Sequence, residues 1–448
     1  MREQFPEEYL RRMRELLGDQ YASFIRTMEI PAFRGIRFNP LKPCAAAEGL
    51  RGEAVPWEKN GYYLDPDSTA GSTIWHEAGA FYLQEPSAML PAAVLAPSPG
   101  ERILDLCAAP GGKTTQIGAD LRGQGLLISN EPVNKRAAVL SRNTERMGIP
   151  NTVVIQAMPD QLADRWAGLF DAVLADVPCS GEGMFRRDPA ARDEWGEEHT
   201  RGCASRQREI LKSAAELVRP GGRLVYSTCT FNPEENEENI EWFLDRYPEF
   251  ERVPFRLPGA DAPEGCFTCY PHQSGGEGQF AALLRKKGDQ RPERILSSGL
   301  PCPDRQEEKV FRENFPFLPP PTAKLRNTLV RLEDCPDLSG IRVLRAGLHL
   351  ADLVGRTLVP DHAAAVCCFS PDVQRVSLNE DDAVRYLAGE TPKTQAQGWA
   401  LAEFDGLALG WGKGNGEILK NHYPKGIRRR LSGSMSGEAA ADDQEYRL

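Results

Sequence analysis

No stretch of this sequence approaches the roughly eighteen consecutive apolar residues a membrane-crossing helix needs, so no membrane span is expected. The opening MREQFPEEYLRRMRELL lacks the apolar core of a secretory signal and reads as an amphipathic helix. Histidine is scarce, six in 448 residues, and the six show no metal-ligand spacing. A single CxxC, Cys266 and Cys269, is half of a four-ligand zinc site, so no metal is expected. The eleven cysteines are an odd number without framework spacing, which excludes a disulfide scaffold and fits reduced thiols in a cytoplasmic protein. Cys44, Cys203 and the pair Cys367-Cys368, in an apolar run that reads as a strand, have no catalytic context.

Basic charge is not in surplus. Lys and Arg total 54 against 64 Asp and Glu, a net charge of −10, which taken over the whole chain argues against a nucleic-acid partner. The charge is uneven, however. Base gathers in FRGIRFNPLK (33–42) and WGKGNGEILKNHYPKGIRRR (411–430), acid in 233–241 and in the tail SGEAAADDQEYRL. A local basic surface is therefore compatible with the balance. Trp411, His422 and Tyr423 among Lys413, Lys420, Lys425 and Arg428–Arg430 form either an RNA-stacking mixture or a solvated basic loop.

Composition is otherwise that of a globular protein of several domains. Residues 1–95 begin with helical periodicity and continue into the basic, strand-like RGIRFNPLK. Residues 96–287 alternate helical patterns with RILDLCA, GLLISNE, NTVVIQA, DAVLADV, RLVYSTC and QFAALLRKK, which predicts βαβ units and a mostly parallel sheet. The Pro-rich 288–325 reads as a linker, 326–385 as a small α+β unit, 386–431 as a second, and 432–448 as a disordered tail.

In RILDLCAAPGGKTTQI (102–117) a strand enters a glycine turn and then a helix starting near Lys113. Glycine permits the turn and close approach of a ligand to the backbone. The loop is not a phosphate-binding P-loop, because Cys107 stands where the first glycine of that motif must be, and it is not a dinucleotide GxGxxG. Glu131, nineteen residues after Gly112, ends the second strand, where an acid accepts from both ribose hydroxyls of a nucleoside. Glycine loop and acid without phosphate machinery point to an adenosine-bearing ligand such as S-adenosyl-L-methionine; a tight turn and a solvated Glu131 are the plain alternative.

CAAPGGKT, DVPCSGEG, YSTCTFNPEENE and PHQSGGEGQFAALLRK, in this order and supported by FYLQEPSAMLPA and RGIRFNPLK, resemble the Sun/RsmF-type RNA cytosine-5 methyltransferases, bacterial 16S rRNA subgroup. LALGWGKGNGEILKNHYPKGIRR resembles that subgroup's PUA-like tail. The resemblance implies an α/β fold: a Rossmann-like S-adenosylmethionine-dependent core, an N-terminal α+β RNA-binding extension and a C-terminal α+β, PUA-like region. It implies cofactor contacts from Cys107, Ala108, Ala109, Pro110, Gly111, Gly112, Lys113, Glu131 and Asp176. One departure stands out: Met158 occupies the position of an acid that often holds the adenine amino group, with Asp160 two residues on.

Two cysteines, Cys179 and Cys229, follow apolar strands. Cytosine C5 is a poor nucleophile; a thiolate added to C6 converts the C5–C6 bond to an enamine, so C5 can attack a methyl donor. The route needs a thiolate and a group that hydrogen-bonds or protonates N3. In a doubly wound sheet both thiols should face one pocket beyond the strand ends, with Asp176 at its floor. The resemblance assigns Cys229, of the Thr-Cys motif, as nucleophile and Cys179, after proline, as the residue assisting release. The acidic run PEENEEN (233–239) reads mainly as a helix start, with Asn232 as N-cap and Glu234 and Glu235 in the first turn.

The expectation is methylation of cytosine C5 in small-subunit (16S) rRNA by a cytoplasmic, monomeric enzyme whose partner is RNA. The same chemistry on tRNA or large-subunit rRNA is an alternative, and a catalytically idle RNA-binding assembly factor is another of a different class.

Overall fold

The computed structural model of the chain describes residues 5–290, 297–355, 357–367 and 372–429. Two helices open it, α1 (Glu7–Leu17) and α2 (Tyr21–Met28). Tyr9, Met13 and Leu17 recur every four residues on α1 and form one buried stripe. With Phe24 and Met28 they pack on Phe185, Trp195 and Phe231, which lie just beyond the two cysteine-bearing strands. An antiparallel sheet follows, with β1 (Arg34–Phe38) between β2 (Gly61–Leu64) and β3 (Phe81–Leu83), and a short α3 (Ile74–Glu77).

The basic character of β1 serves structure, contrary to the surface expected from its charge. Arg37 is 1% exposed and donates to Gln84 Oε1, Gly112 O and Thr115 Oγ1. Lys42 is buried and donates to Ala78 O and Arg146 O. These buried cations have their hydrogen bonds satisfied, as burial demands, and they fasten this sheet to the next module.

That module begins with α4 (Leu90–Leu95) and holds the six apolar runs as strands: β4 (Arg102–Asp105), β5 (Leu126–Asn130), β6 (Thr152–Gln156), β7 (Phe170–Asp176), β8 (Val218–Thr228) and, after smaller strands, β13 (Gln279–Lys286). The smaller strands are β9 (Phe250–Arg252), the hairpin β10 (Phe255–Leu257) and β11 (Ala260–Ala262), and β12 (Cys266–Cys269). Intervening helices are α5 (Gly112–Leu121), α6 (Asn134–Arg146), α7 (Pro159–Trp166), α8 (Pro189–Asp193), α9 (Glu197–Leu217), α10 (Glu237–Arg246) and α11 (Pro271–Ser274). β4 to β8 are parallel, and their nearly continuous apolar runs reflect helices covering both faces. Strand order reverses between β4 and β7, which places the ligand crevice of a doubly wound sheet beyond their carboxyl ends. Cys266 and Cys269 point to opposite faces of β12, one towards each core, so they cannot share a metal.

The stretch read as a linker carries α12 (Arg305–Asn314), capped reciprocally by Asp304 and Glu307. Beyond it, β14 (Ala323–Leu325), β15 (Thr328–Arg331), β17 (Leu348–Val354) and β18 (Thr357–Pro360) form a separate sheet. β16 (Arg342–Ala346) leaves that unit and pairs antiparallel with β6, extending the central sheet. Residues 362–366 form α13 (His362–Val366), a helix rather than the apolar strand read there; Asp361 caps it and Cys367 ends it, and Cys368 lies outside the described residues. The last sheet joins β19 (Gln374–Ser377), β20 (Gln397–Phe404), β21 (Leu407–Asn415) and β22 (Leu419–Asn421), with α14 (Glu380–Leu387) against it. This unit thus begins before residue 386. Trp411 and Tyr423, candidates for stacking on RNA, are 1% and 4% exposed and belong to the core.

Candidate active site

Four strand ends converge at the switch point. Beyond β4, Cys107, Ala108, Ala109, Pro110, Gly111 and Gly112 turn the chain into α5. Gly111 has φ +115°, a region L side chains rarely adopt, and an added Cβ would stand 3.2 Å from Leu140. The loop is pinned to the end of β5: Ala108 N–H donates to Asn130 O at 2.9 Å, and Asn130 Nδ2 donates to Leu106 O at 3.1 Å. Arg136 on α6 donates to Ala109 O at 3.1 Å and stands 3.5 Å from the Glu131 carboxylate. Glu131 is 2% exposed and accepts from Val133 N–H, which uses one of its four lone-pair sites.

Asp105, which the sequence reading passed over, closes the same corner. It is fully buried, accepts from Thr114 Oγ1 at 2.6 Å through one oxygen, and its other oxygen has no partner among the described residues. Burial, with Asp176 nearby, raises its carboxyl to about 7. Its place at the carboxyl end of β4, beside the crevice, was a legible signal. Burial also pushes the Cys107 thiol up, reinforced by Asp105 and Asp176. Met158 lies 56% exposed beyond β6, and Asp160 turns towards the start of α7, accepting from Gln161 N–H.

Asp176 ends β7. It pairs with Lys113 Nζ at 2.7 Å and accepts from Ser227 Oγ at 2.6 Å and Gln279 Nε2 at 3.0 Å. Burial alone would lower the Lys113 ammonium, but the Asp176 carboxylate outweighs it and holds it above its ordinary value, with Cys229 adding to the effect. The cofactor-side loop and the thiol side thus meet at this ion pair.

Cys179 and Cys229 sit side by side, Sγ to Sγ 3.1 Å, both as free thiols, one beyond β7 and one beyond β8. Val177 N–H donates to Ser227 O and so carries the parallel pairing of the strands to the edge of the site. Cys229 N–H donates to Cys179 Sγ at 3.3 Å, and Gly183 N–H to Cys229 O at 2.8 Å. The hydrogen bond with Cys229, then burial, raises the Cys179 thiol well above its ordinary value.

The acidic run splits. Glu237 and Glu238 occupy the first turn of α10, whose N-cap position is Asn236, four residues later than expected, while Asn232 only caps the turn before it, accepting from Glu234 N–H. Glu235 turns inward, 0% exposed, and accepts from Ser180 N–H at 3.0 Å, Ser180 Oγ at 2.5 Å and Gln207 Nε2 at 2.8 Å. Gln207 also donates to Pro178 O. Both residues flanking Cys179 are therefore held by one buried carboxylate and its amide partner. Glu182, likewise 0% exposed, accepts from Trp195 Nε1 and Phe231 N–H and pairs with Arg12 of α1. The role of Glu235 was not legible in a run of like residues, nor that of Glu182, whose partners Arg12, Trp195 and Phe231 lie far along the chain or across a loop.

Three family models match the chain: the 16S rRNA methyltransferase RsmB/F over residues 92–285, the N-terminal domain of 16S rRNA methyltransferase RsmF over 5–86, and the methyltransferase RsmF PUA domain over 373–429. The ribosomal RNA small subunit methyltransferase F of Shewanella loihica is 34% identical, covering 94% of each chain. That of Klebsiella pneumoniae is 33% identical over 95% of this chain and 97% of its own. Among solved structures, a methyltransferase homolog protein from Pyrococcus horikoshii superimposes with a TM-score of 0.56 at 30% identity, covering 63% of this chain and 95% of its own. NSun6 from the same organism, solved with SFG, shares the fold at a TM-score of 0.56 and 23% identity, covering 64% of this chain and 100% of its own. The chain belongs to the RsmB/F family of 16S rRNA methyltransferases, enzymes that act on small-subunit rRNA with S-adenosyl-L-methionine as methyl donor.

Proposed function

We propose that the chain methylates C5 of a cytosine in 16S rRNA through a transient bond from Cys229 to C6, and that Cys179 serves release. The observation that carries this reading is the thiol pair, two sulfurs 3.1 Å apart at the ends of neighbouring parallel strands. The hydrogen bond to Cys229 and burial raise the Cys179 thiol, so Cys179 stays protonated beside its neighbour.

Attack of the Cys229 thiolate on C6 forms the S–C6 bond and turns C5 into an enamine carbon. The base has to leave its stack for C6 to be reached. Asp176, held by Lys113, Ser227 and Gln279, faces the base at N3: the proton given up by the Cys229 thiol ends on N3 as the thiolate adds, the Asp176 carboxylate accepts from that N3–H, and the Lys113 ammonium balances the charge of the carboxylate. Bound S-adenosylmethionine supplies an electrophilic methyl group. A base from the surrounding water then takes the C5 proton, the C5–H electrons re-form the C5–C6 double bond, and the S–C6 pair leaves on Cys229 as a thiolate, with Cys179 beside the bond that breaks.

The residues fit the cofactor. Cys107 to Lys113 form the glycine turn that admits it, and Glu131 keeps acceptor capacity for ribose hydroxyls. The unpartnered oxygen of buried Asp105 lacks a cation or a donor, and the cofactor carries both. Bisulfite sequencing of 16S rRNA from a strain lacking the gene tests the reading. At least one protected cytosine should become convertible and regain protection on complementation; an unchanged pattern of protection would refute cytosine C5 as the target.

A further inference from the structure

A cavity of about 650 Å³ lies outside the thiol site, where the N-terminal sheet meets the β10–β11 turn and the segment after α11. That volume is within the roughly 300–1,000 Å³ of small-ligand pockets. Phe33, Arg34, Glu53, Trp57, Tyr63 and Ser274 line it. Its aromatic groups present rings rather than free donors: Tyr63 OH donates to Ser274 O at 3.0 Å, and Trp57 Nε1 to Pro86 O at 2.9 Å. Phe33 and Tyr63 stand edge to face with centroids 6.4 Å apart, and the Arg186 guanidinium, in a buried pair with Glu277, covers Phe33 at 5.0 Å.

One wall is shared with the thiol site. Phe33 N–H donates to Glu277 Oε1 at 2.6 Å, and Glu277 N–H to Glu85 Oε1 at 2.8 Å. The next residue, Gly278, is packed so closely that an added Cβ would lie 2.5 Å from the Phe231 ring and 3.1 Å from Gly183 Cα. Gly183 holds Cys229 O, and Phe231 lies two residues beyond Cys229. Segment 274–278 therefore separates the cavity from the nucleophile.

We infer that this cavity is a second nucleobase subsite, which takes an unstacked base beside the target nucleotide of the rRNA. Extruding one base leaves its neighbours without stacking partners, and aromatic side chains supply substitutes. The chemistry selects a base over a phosphate. Arg34 is already engaged with Pro66 O and Ser68 O, and the Glu53 carboxylate on the rim repels phosphate. The inference rests on the thiol pair being the target site.

Steady-state kinetics on unmethylated 16S rRNA, with an abasic nucleotide placed in turn at each neighbour of the methylated cytosine, test it. Phe33→Leu and Tyr63→Leu keep the apolar filling but remove the stacking rings. Each should raise KM about tenfold, with kcat within about twofold and cofactor affinity unchanged, while Tyr63→Phe should recover most of the loss. At one neighbour the abasic substitution should raise KM in the wild type but not in Phe33→Leu, because the two changes remove the same contact. Unaltered KM in the Leu variants, a loss confined to kcat, or additive effects at every neighbour would overturn the subsite. A wild type that methylates no cytosine of this rRNA would instead overturn the target-site reading, before any variant is compared.

Discussion

Asp105 has one carboxylate oxygen satisfied by Thr114 and another that no group in the described protein meets. Its carboxyl is raised to about 7 by burial, so near neutrality a fraction of the free enzyme holds it protonated. A cationic ligand binds the ionised form better. Affinity for S-adenosylmethionine should therefore be greatest above pH 7 and fall as the pH drops through that value. Calorimetry across pH 6 to 8 checks this; Asp105→Asn should bind more weakly and lose the pH dependence, and an identical pH profile in the variant would remove Asp105 from the cofactor site. Glu131→Ala, which removes the acceptor proposed for the ribose hydroxyls, should cost roughly 1–3 kcal/mol of the same binding; unchanged affinity would remove that assignment.

The element that presents Cys179 is a loop, and loops are precise only when fixed from outside. Here the fixing comes from Glu235, on the segment after β8, and from Gln207, midway along α9. Glu235→Ala would leave the buried Ser180 N–H without its acceptor and take one partner each from Ser180 Oγ, which keeps Thr230 Oγ1, and Gln207 Nε2, which keeps Pro178 O, at a cost of roughly 1–3 kcal/mol. Thermal unfolding should show the loss, and Cys179 should alkylate faster than in the wild type. Glu235→Gln keeps one acceptor and should fall between; wild-type stability and alkylation in both variants would contradict the role. Elements such as these also show what sequence patterns convey. The six apolar runs, the glycine turn and both cysteines were legible because period, turn chemistry and position at strand ends are local properties. The inward turn of Glu235 among identical neighbours was not, because burial is set by the packing of α9 and α10. The burial of Arg37, which reads as surface charge, depends on acceptors at Gln84, Gly112 and Thr115, far along the chain. β16 joining the central sheet is a pairing of the same long-range kind.

Across the whole molecule, basic residues near the C-terminus divide between holding modules together and facing solvent. Arg429 pairs with Glu77 of α3 at 2.9 Å, and Arg428 donates to Tyr423 O, whereas Lys425 is exposed and makes no ion pair among the described residues. Arg430 lies outside them. Arg429→Ala should lower the unfolding temperature and leave the salt dependence of RNA binding unchanged. Lys425→Ala should do the reverse, flattening the slope of log affinity against log salt by about one if it meets a phosphate. Equal slopes in wild type and Lys425→Ala would mean that this lysine is only solvated.

The division of labour between the two thiols is tested most directly by denaturing electrophoresis of enzyme incubated with unmethylated 16S rRNA and S-adenosylmethionine. Cys179→Ala should form the Cys229–C6 bond and transfer the methyl group, then accumulate a protein–RNA adduct that survives denaturation. Cys229→Ala should give neither adduct nor methylated product while still binding RNA and cofactor. An adduct with Cys229→Ala in place of Cys179→Ala would reverse the two roles, and full turnover in both variants would contradict covalent catalysis altogether.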